Sequence, residues 1–192
     1  WFCWVAYNAP HTPFHLPPAN MHSQGNLPDD DASIDEVILT GGDPLILSDS
    51  KIKEIATVIS TTNVKYLRFH TRTPIILPTR ITKNFISLLR ELTELFERVI
   101  FVLHTNHADE LDSEVLNHLK ELTSIPKLDL RTQSVLLKDI NNTKKDLVDL
   151  FKKVVETGFT PYYLHHPDQA RGAVHYWLPL EQGRRLYNQL RN

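Results

Sequence analysis

The sequence is poor in cysteine, and this scarcity limits the metal chemistry that the chain can support. Among its 192 residues there is one cysteine, Cys3. A single thiol cannot close a disulfide within the chain, and it cannot supply the several thiolates that hold a zinc ion or an iron–sulfur cluster. The sequence therefore excludes a disulfide-rich fold and predicts no thiolate metal centre, because Cys3 alone is insufficient.

Long apolar runs and an excess of basic charge are missing as well. The formal net charge is −2 at pH 7, and the pI is near 6.6. This composition gives no electrostatic footprint for nucleic acid or for an anionic membrane surface. No apolar run approaches the roughly 20 residues that cross a bilayer, and the first residues lack the pattern of a signal peptide. The sequence predicts a cytoplasmic protein with neither partner.

The chain divides into two regions of different composition. Residues 1–35 hold five of the twelve prolines and an acidic run, which predicts an irregular or disordered arm. Residues 36–192 show regular alternation of short β-rich runs with segments of helical periodicity. With 41% apolar residues, the chain is long enough for one substantial core. We therefore expect a single α/β domain behind an N-terminal arm.

The second region reads as five βα units in series. The predicted strands are 36–40, 65–70, 99–104, 128–135 and 160–166. The predicted helices start near Asp49, Thr82 and Asp112, after Asn142, and near Pro179, and the fourth stops at Gly158. Such units require long right-handed crossovers and hence a parallel sheet. The favoured fold is a partial (β/α) barrel with outer helices, and an open doubly wound sheet is the alternative.

Polar residues gather where the predicted strands end. In parallel β/α sheets, ligands bind at the carboxyl ends of the strands, an edge that we call the carboxyl edge. Arginine suits anions and aspartate suits an ammonium group, so this edge predicts a site for a zwitterionic amino acid or a phosphate. The residues at the five strand ends are Gly41, Gly42, Asp43 and Pro44; His70, Thr71 and Arg72; His104, Thr105, Asn106 and His107; Gln133 and Ser134; His165, His166, Pro167 and Asp168.

The turn from Gly41 to Pro44 carries the strongest local signal. Its two glycines permit positive φ and let a ligand approach the backbone N–H groups, while Pro44 fixes the exit of the chain. The same four residues also suit a plain strand-to-helix turn. A metal site at His104 and His107 is a weaker idea, because His-x-x-His on a loop implies no ligand geometry and no third ligand is obvious.

Five sequence blocks together resemble a known family. They occur in order between residues 36 and 190, and they are VILTGGDPL, LRFHTRTPIILPTRIT, VLHTNHADELD, TQSVLLKDIN and PYYLHHPDQARGAVHY. Their order and spacing are similar to those of the lysine 2,3-aminomutases of the radical-SAM superfamily. The likeness is greatest to the branch that makes β-lysine for modification of elongation factor P.

The resemblance implies a function for the carboxyl edge. The residues from Gly41 to Pro44 would hold the methionine part of S-adenosylmethionine, and His104 and Gln133 would bind the same molecule. Arg72 would line the cavity, and Asp168 would receive the ammonium group of the substrate lysine. The family converts L-lysine to β-lysine with S-adenosylmethionine, a [4Fe-4S] cluster and pyridoxal phosphate, which carry the chemistry.

The chain also departs from the family pattern. The cysteine triplet CxxxCxxC should precede the strand at 36–40, where only Cys3 occurs, and the arginine that follows the triplet has no counterpart. The segment with the Schiff-base lysine is not found, and Lys144 and Lys145 are expected on a solvated helix face. Thr132 stands where the family has asparagine. These departures predict an inactive copy, truncated or disrupted in frame.

Two further functions remain open. The fold could serve as a non-catalytic domain that binds S-adenosylmethionine, an amino acid or a protein partner, or as a barrel aldolase or isomerase that uses Asp and His for acid–base chemistry. Exposed barrel edges would favour an oligomer or aggregation. Residues 141–143 match a glycosylation sequon, but they are better interpreted as a helix N-cap.

Overall fold

The computed structural model describes residues 2–6, 34–169 and 172–191. None of the helices in these ranges has the length and apolarity to cross a bilayer. The strands are β1 Phe2–Ala6, β2 Glu36–Thr40, β3 Tyr66–Thr71, β4 Arg98–His104, β5 Leu128–Val135 and β6 Thr160–His165. The helices are α1 Asp49–Ser60, α2 Thr73–Ile76, α3 Lys83–Leu95, α4 Ser113–Leu119, α5 Lys144–Glu156 and α6 Leu180–Arg191.

The strands form one sheet in the order β1-β2-β3-β4-β5-β6, and every neighbouring pair is parallel. A strand order that never reverses belongs to the winding of a (β/α) barrel, whereas a doubly wound sheet reverses at a switch point. The predicted α/β partial barrel is therefore confirmed, and the doubly wound alternative is wrong for the described strands. Within these strands β1 and β6 are the sheet edges.

The five predicted strands are confirmed to within one residue at each end, but β1 was not predicted. It falls inside residues 1–35, so the expected irregular arm is wrong for Phe2–Ala6, and a strand precedes the one that leads into the glycine turn. A five-residue apolar run carries little local signal, since its partner β2 lies about 30 residues away. Residues 7–33 of the predicted arm lie outside the described residues, and the domain boundary at 35 stays a prediction.

Four of the helices begin at a side-chain cap. Ser48, Thr82, Asp112 and Thr143 each accept a hydrogen bond from the backbone N–H three residues further on. These residue types are preferred at N-caps because their oxygens satisfy N–H groups that the first turn leaves unpaired. The sequence predicted these helix starts to within two residues, because the signal is local.

The hydrophobic core lies between the sheet and the outer helices. Leu39 and Phe69 on the strands are buried against Ile52 of α1 and Leu89 of α3. Successive residues of a strand point to opposite faces, so the neighbours of these core residues face the inside of the partial barrel. That inner face carries polar side chains, including Arg68 and His70 of β3. The fold thus places an apolar core outward, under the helices, and the polar side chains of β3 inward, below the carboxyl edge.

Gly158 ends α5 with φ = +84°, as the predicted helix stop requires. An added Cβ would lie 2.9 Å from Cγ2 of Thr123. We expect Gly158→Ala to lower the free energy of unfolding by about 2 kcal/mol, through backbone strain plus this clash. Gly172→Ala is the matched control, because Gly172 has φ = +87° but no atom of the described residues within 4 Å of the added Cβ. Equal urea midpoints for the two variants would show that the clash costs nothing.

Candidate functional site

Five residues that the sequence predicted for ligand contact lie at or just after the carboxyl ends of their strands. Asp43 follows β2, Arg72 follows β3, His104 ends β4, Gln133 lies near the end of β5, and Asp168 follows β6. His104 and Gln133 are partners in the β4–β5 ladder. Neighbouring parallel strands therefore bring these two side chains next to each other on the carboxyl edge.

Asp43 is occupied by donors from the protein itself. Its Oδ1 accepts hydrogen bonds from the N–H of Leu45 at 3.0 Å and from Oγ1 of Thr71 at 2.7 Å. Its Oδ2 accepts from the N–H of Arg72 at 2.6 Å and of Thr73 at 2.8 Å. Four donors fill the acceptor sites of a carboxylate. Asp43 therefore fixes the turn after β2 to the turn after β3, and its own oxygens are already used.

The glycine turn presents backbone N–H groups at the carboxyl edge. Gly41 is exposed and has φ = +97°, a conformation that side chains other than glycine rarely adopt. Among the described residues, none accepts a hydrogen bond from the N–H of Gly41 or Gly42. Pro44 is buried and opens a single 3-10 turn. Successive free N–H groups at a turn form a concave site suited to an anionic group.

Glu110 is a residue of this edge that sequence reasoning missed. Its Oε1 accepts a hydrogen bond from Nη2 of Arg72 at 2.9 Å. Its Oε2 accepts from Oγ1 of Thr105 at 3.0 Å and from the N–H of Asn106 at 2.9 Å. Glu110 therefore ties the end of β3 to the end of β4. No local pattern separates it from its neighbour Asp109, whose side chain is 90% exposed.

Asn141 joins the loops after β4 and β5. Its Nδ2 donates to the carbonyl of Asn106 at 2.7 Å and to that of Val135 at 2.9 Å. Its Oδ1 accepts from the N–H of Leu137 at 2.7 Å, and the side chain is fully buried. The predicted cap within residues 141–143 is Thr143, whereas Asn141 is a buried bridge. The end of β5 is thus fixed to the end of β4.

Two histidines of the inner face and carboxyl edge are neutral. Burial lowers the pKa of His104, and the nearby charge of Arg72 lowers it further. Burial also lowers the pKa of His70 to about 4, with the charge of Arg68 as the second cause. A neutral imidazole donates through one nitrogen and accepts through the other. At pH 7 both histidines are therefore uncharged.

The depressed pKa of His70 predicts acid sensitivity. The folded-state pKa of about 4 lies below the ordinary value of 6.5, so protonation favours the unfolded chain. The stability from neutral His70 is full above pH 6.5 and is lost as the pH falls towards 4. We expect the urea midpoint of the wild type to fall more steeply over this range than that of His70→Gln, which does not titrate. Parallel pH profiles would contradict the assignment.

The other predicted residues of the carboxyl edge have surroundings of their own. Nδ1 of His107 accepts from the N–H of Asp109 at 3.2 Å in its own loop. His166 packs against α6, where a Cβ added to Gly183 would lie 3.0 Å from the imidazole ring. Asp168 is exposed on the segment after β6. In the described ranges, no three His, Cys, Asp or Glu side chains are arranged to hold a metal ion.

Comparison with known proteins identifies relatives of the chain. It is 38% identical to the L-lysine 2,3-aminomutase of Buchnera aphidicola subsp. Baizongia pistaciae over 150 residues, which cover 78% of this chain and 43% of the relative. It is 33% identical to the enzyme of the same name from Escherichia coli K12, over 82% of this chain and 45% of the relative. For the Clostridium subterminale enzyme the identity is 31%, over 81% and 36%.

The comparisons support the resemblance seen in the sequence. The sheet order defines a partial (β/α) barrel with polar groups at its carboxyl edge. About four-fifths of the chain is similar to these L-lysine 2,3-aminomutases, and the resemblance carried by the five sequence blocks is confirmed. No protein-family model matches the chain. The chain spans less than half the length of these curated relatives.

Proposed function

We propose that this chain is a radical-SAM lysine 2,3-aminomutase-like protein whose carboxyl edge binds S-adenosylmethionine and an amino acid, with lysine as the expected substrate. The observation that carries the proposal is the cross-linking of neighbouring strand ends by Asp43, Glu110 and Asn141. An edge that is ordered before binding loses little conformational entropy when a ligand arrives. Such an arrangement favours a ligand site over a set of unrelated surface loops.

The groups left open on this edge suit the parts of the two ligands. The N–H groups of Gly41 and Gly42 suit the carboxylate of the methionine part. Neutral His104 and the amide of Gln133 suit donors and acceptors of the adenosine part. The exposed carboxylate of Asp168 suits the ammonium group of lysine. Asp43 contributes by holding the turn in place, since its oxygens are already used.

The iron–sulfur cluster of the family does not fit the residues of this chain. A cluster takes several thiolates, and Cys3 is the one cysteine of the sequence. No other group among the described residues is arranged to replace those thiolates. We therefore propose that this polypeptide by itself does not convert L-lysine to β-lysine. A contribution to the modification of elongation factor P would require thiolates from another polypeptide segment.

The two lysines that begin α5 do not suit pyridoxal phosphate. Lys144 and Lys145 are exposed at the start of α5, and Nζ of Lys145 pairs with Asp149 at 2.6 Å. Neither ammonium group belongs to the carboxyl edge contacts. We propose that the Schiff base of the family is not formed by either residue.

A second candidate function is a cytoplasmic binding domain without catalysis. The same cross-linked edge supports it, because a preformed site holds a ligand whether or not chemistry follows. We also propose that two copies of the chain associate through β6, which is an edge strand of the described sheet. Pro161 within β6 opposes it, since proline removes one N–H donor from an edge strand.

Calorimetric titration of the purified chain with S-adenosylmethionine tests the proposed site. We expect saturable binding of one molecule per chain, and a loss of about tenfold in affinity for Gln133→Leu, because the ligand then leaves polar groups unpaired. Gln182→Leu, on the exposed side of α6, is the matched control and should bind as the wild type does. Absence of binding, or equal affinity in both variants, would remove the site from the carboxyl edge.

A further inference from the structure

We propose that Asn106 is a positioning residue that holds His104 in one tautomer, protonated at Nε2, and so leaves Nδ1 as an open acceptor on the carboxyl edge. The ligand that Nδ1 would meet carries an O–H or N–H donor. The inference rests on the proposed function only in its choice of ligand. The tautomer itself follows from contacts within the protein.

The side-chain amide of Asn106 has a fixed orientation. Its Oδ1 lies 2.8 Å from the backbone nitrogen of Val135. A backbone N–H can only donate, so the atom facing it must be the amide oxygen and not the NH2 group. Asn106 is also 93% buried by residue, and Asn141 holds its carbonyl oxygen from the other side. The side-chain amide therefore has one allowed orientation.

The orientation of the Asn106 amide fixes the tautomer of His104. Nε2 of His104 lies 3.1 Å from the same Oδ1 of Asn106. Because that oxygen can only accept, Nε2 must carry the hydrogen. A neutral imidazole has a single N–H, so Nδ1 is then unprotonated and accepts hydrogen bonds. No contact of the ring with a second side chain is needed to fix this result.

The surroundings of His104 favour an uncharged ring. Burial and the nearby charge of Arg72 lower the pKa of His104, while the hydrogen bond to Asn106 and the charge of Glu110 act in the opposite direction. The lowering effects prevail, so the ring is neutral at pH 7. An amide at position 106 is consistent with this outcome, since it accepts from Nε2 without adding a negative charge.

Nδ1 of His104 stays available. Within the described residues, no group donates a hydrogen bond to Nδ1. Nδ1 is also not one of the fully buried side-chain atoms that lack a partner. His104 ends β4 beside its ladder partner Gln133. Nδ1 is therefore the ring atom left for a ligand donor, such as a hydroxyl or amino group of a nucleoside or the ammonium group of an amino acid.

Asn106→Asp and Asn106→Leu separate the elements of this proposal. Aspartate keeps an acceptor for both Val135 and His104, but its charge stabilises the imidazolium form and raises the pKa of His104 by at least about one unit. Leucine removes the acceptor and frees the choice of tautomer. Asn188→Asp, on the exposed side of α6, is the matched control for the added charge.

Two-bond nitrogen–proton NMR of histidine-labelled protein reads the tautomer directly, with the signals of His104 assigned by their loss in His104→Gln. At pH 7 we expect the wild type and Asn188→Asp to show a protonated Nε2 and an unprotonated Nδ1. Asn106→Asp should retain its fold and show a higher His104 pKa, and Asn106→Leu should show a mixture of tautomers. A protonated Nδ1 in the wild type, or no change in Asn106→Asp, would overturn the inference.

Ligand titrations in the same spectra test the acceptor role. S-adenosylmethionine should shift the Nδ1 resonance of His104, and the response to adenosine alone or methionine alone tells whether a nucleoside or an ammonium group is the donor. Binding of S-adenosylmethionine without a shift of Nδ1 would overturn the acceptor role but leave the proposed function intact. Absence of binding beside an intact Nε2–H tautomer would overturn the proposed function and the acceptor role, but not the tautomer.

Discussion

Asp43→Asn is expected to lower the free energy of unfolding by about 3 kcal/mol, because it leaves donors at a partly buried turn without an acceptor. The carboxylate accepts from Leu45, Thr71, Arg72 and Thr73, all within 3.0 Å. The amide of asparagine has one oxygen, so its NH2 group must face two of these donors. Urea unfolding followed by circular dichroism measures the loss.

The same substitution should also weaken binding of S-adenosylmethionine, since the turns after β2 and β3 lose their common anchor. Asp109→Asn is the matched control, because the Asp109 side chain is 90% exposed and belongs to the same edge. It should change neither stability nor affinity. If Asp43→Asn were as stable as Asp109→Asn, the carboxylate would not be the anchor of the two turns.

Loss of Arg68 is expected to have the largest effect on stability. Nη2 of Arg68 lies 2.7 Å from Oε1 of Glu36, and the two side chains are 7% and 8% exposed. Nη1 also donates to the hydroxyl of Tyr163 at 3.3 Å. Arg68→Met leaves the Glu36 charge buried without a partner, which costs about 3–5 kcal/mol.

Two comparisons make this prediction specific. The double variant Glu36→Gln with Arg68→Met removes both charges and should recover most of the loss, because a buried pair is often replaceable by neutral groups. Lys65→Met breaks a pair with Asp35 in which both side chains are about half exposed, and it should leave the urea midpoint unchanged. A double variant as unstable as Arg68→Met would mean that the lost arginine contacts, and not the unpaired Glu36 charge, set the cost.

The fold was largely predictable because its signals are local or periodic. The strand VIFVLH has the continuous apolar character of a buried parallel strand, and β4 begins one residue before it. Thr82 and Asp112 have the residue types of N-caps and serve as caps. Phe2–Ala6 escaped prediction because a short run without a following helical pattern differs little from an irregular segment.

Topology predicts which residues share the carboxyl edge, but not which contacts each of them makes. Parallel strands bring their carboxyl ends to one edge, which is where Arg72 and Gln133 lie. Asp43, however, meets donors about 30 residues further along the chain, and Glu110 reaches back to Arg72. Such tertiary pairings have no signature in a single sequence, so a carboxylate that binds a ligand and one that binds backbone look alike. The ligand contacts themselves stay predictions.

Anaerobic iron–sulfur reconstitution of the purified chain in the presence of S-adenosylmethionine tests the central claim most directly. Iron, sulfide and retained S-adenosylmethionine are measured on the same sample after gel filtration. The account predicts about one bound S-adenosylmethionine per chain, recovered intact, with iron and sulfide at the level of a Cys3→Ser control. A stoichiometric cluster that cleaves S-adenosylmethionine, or a chain that retains none of it, would contradict the proposal of a family binding edge without the family's metal centre.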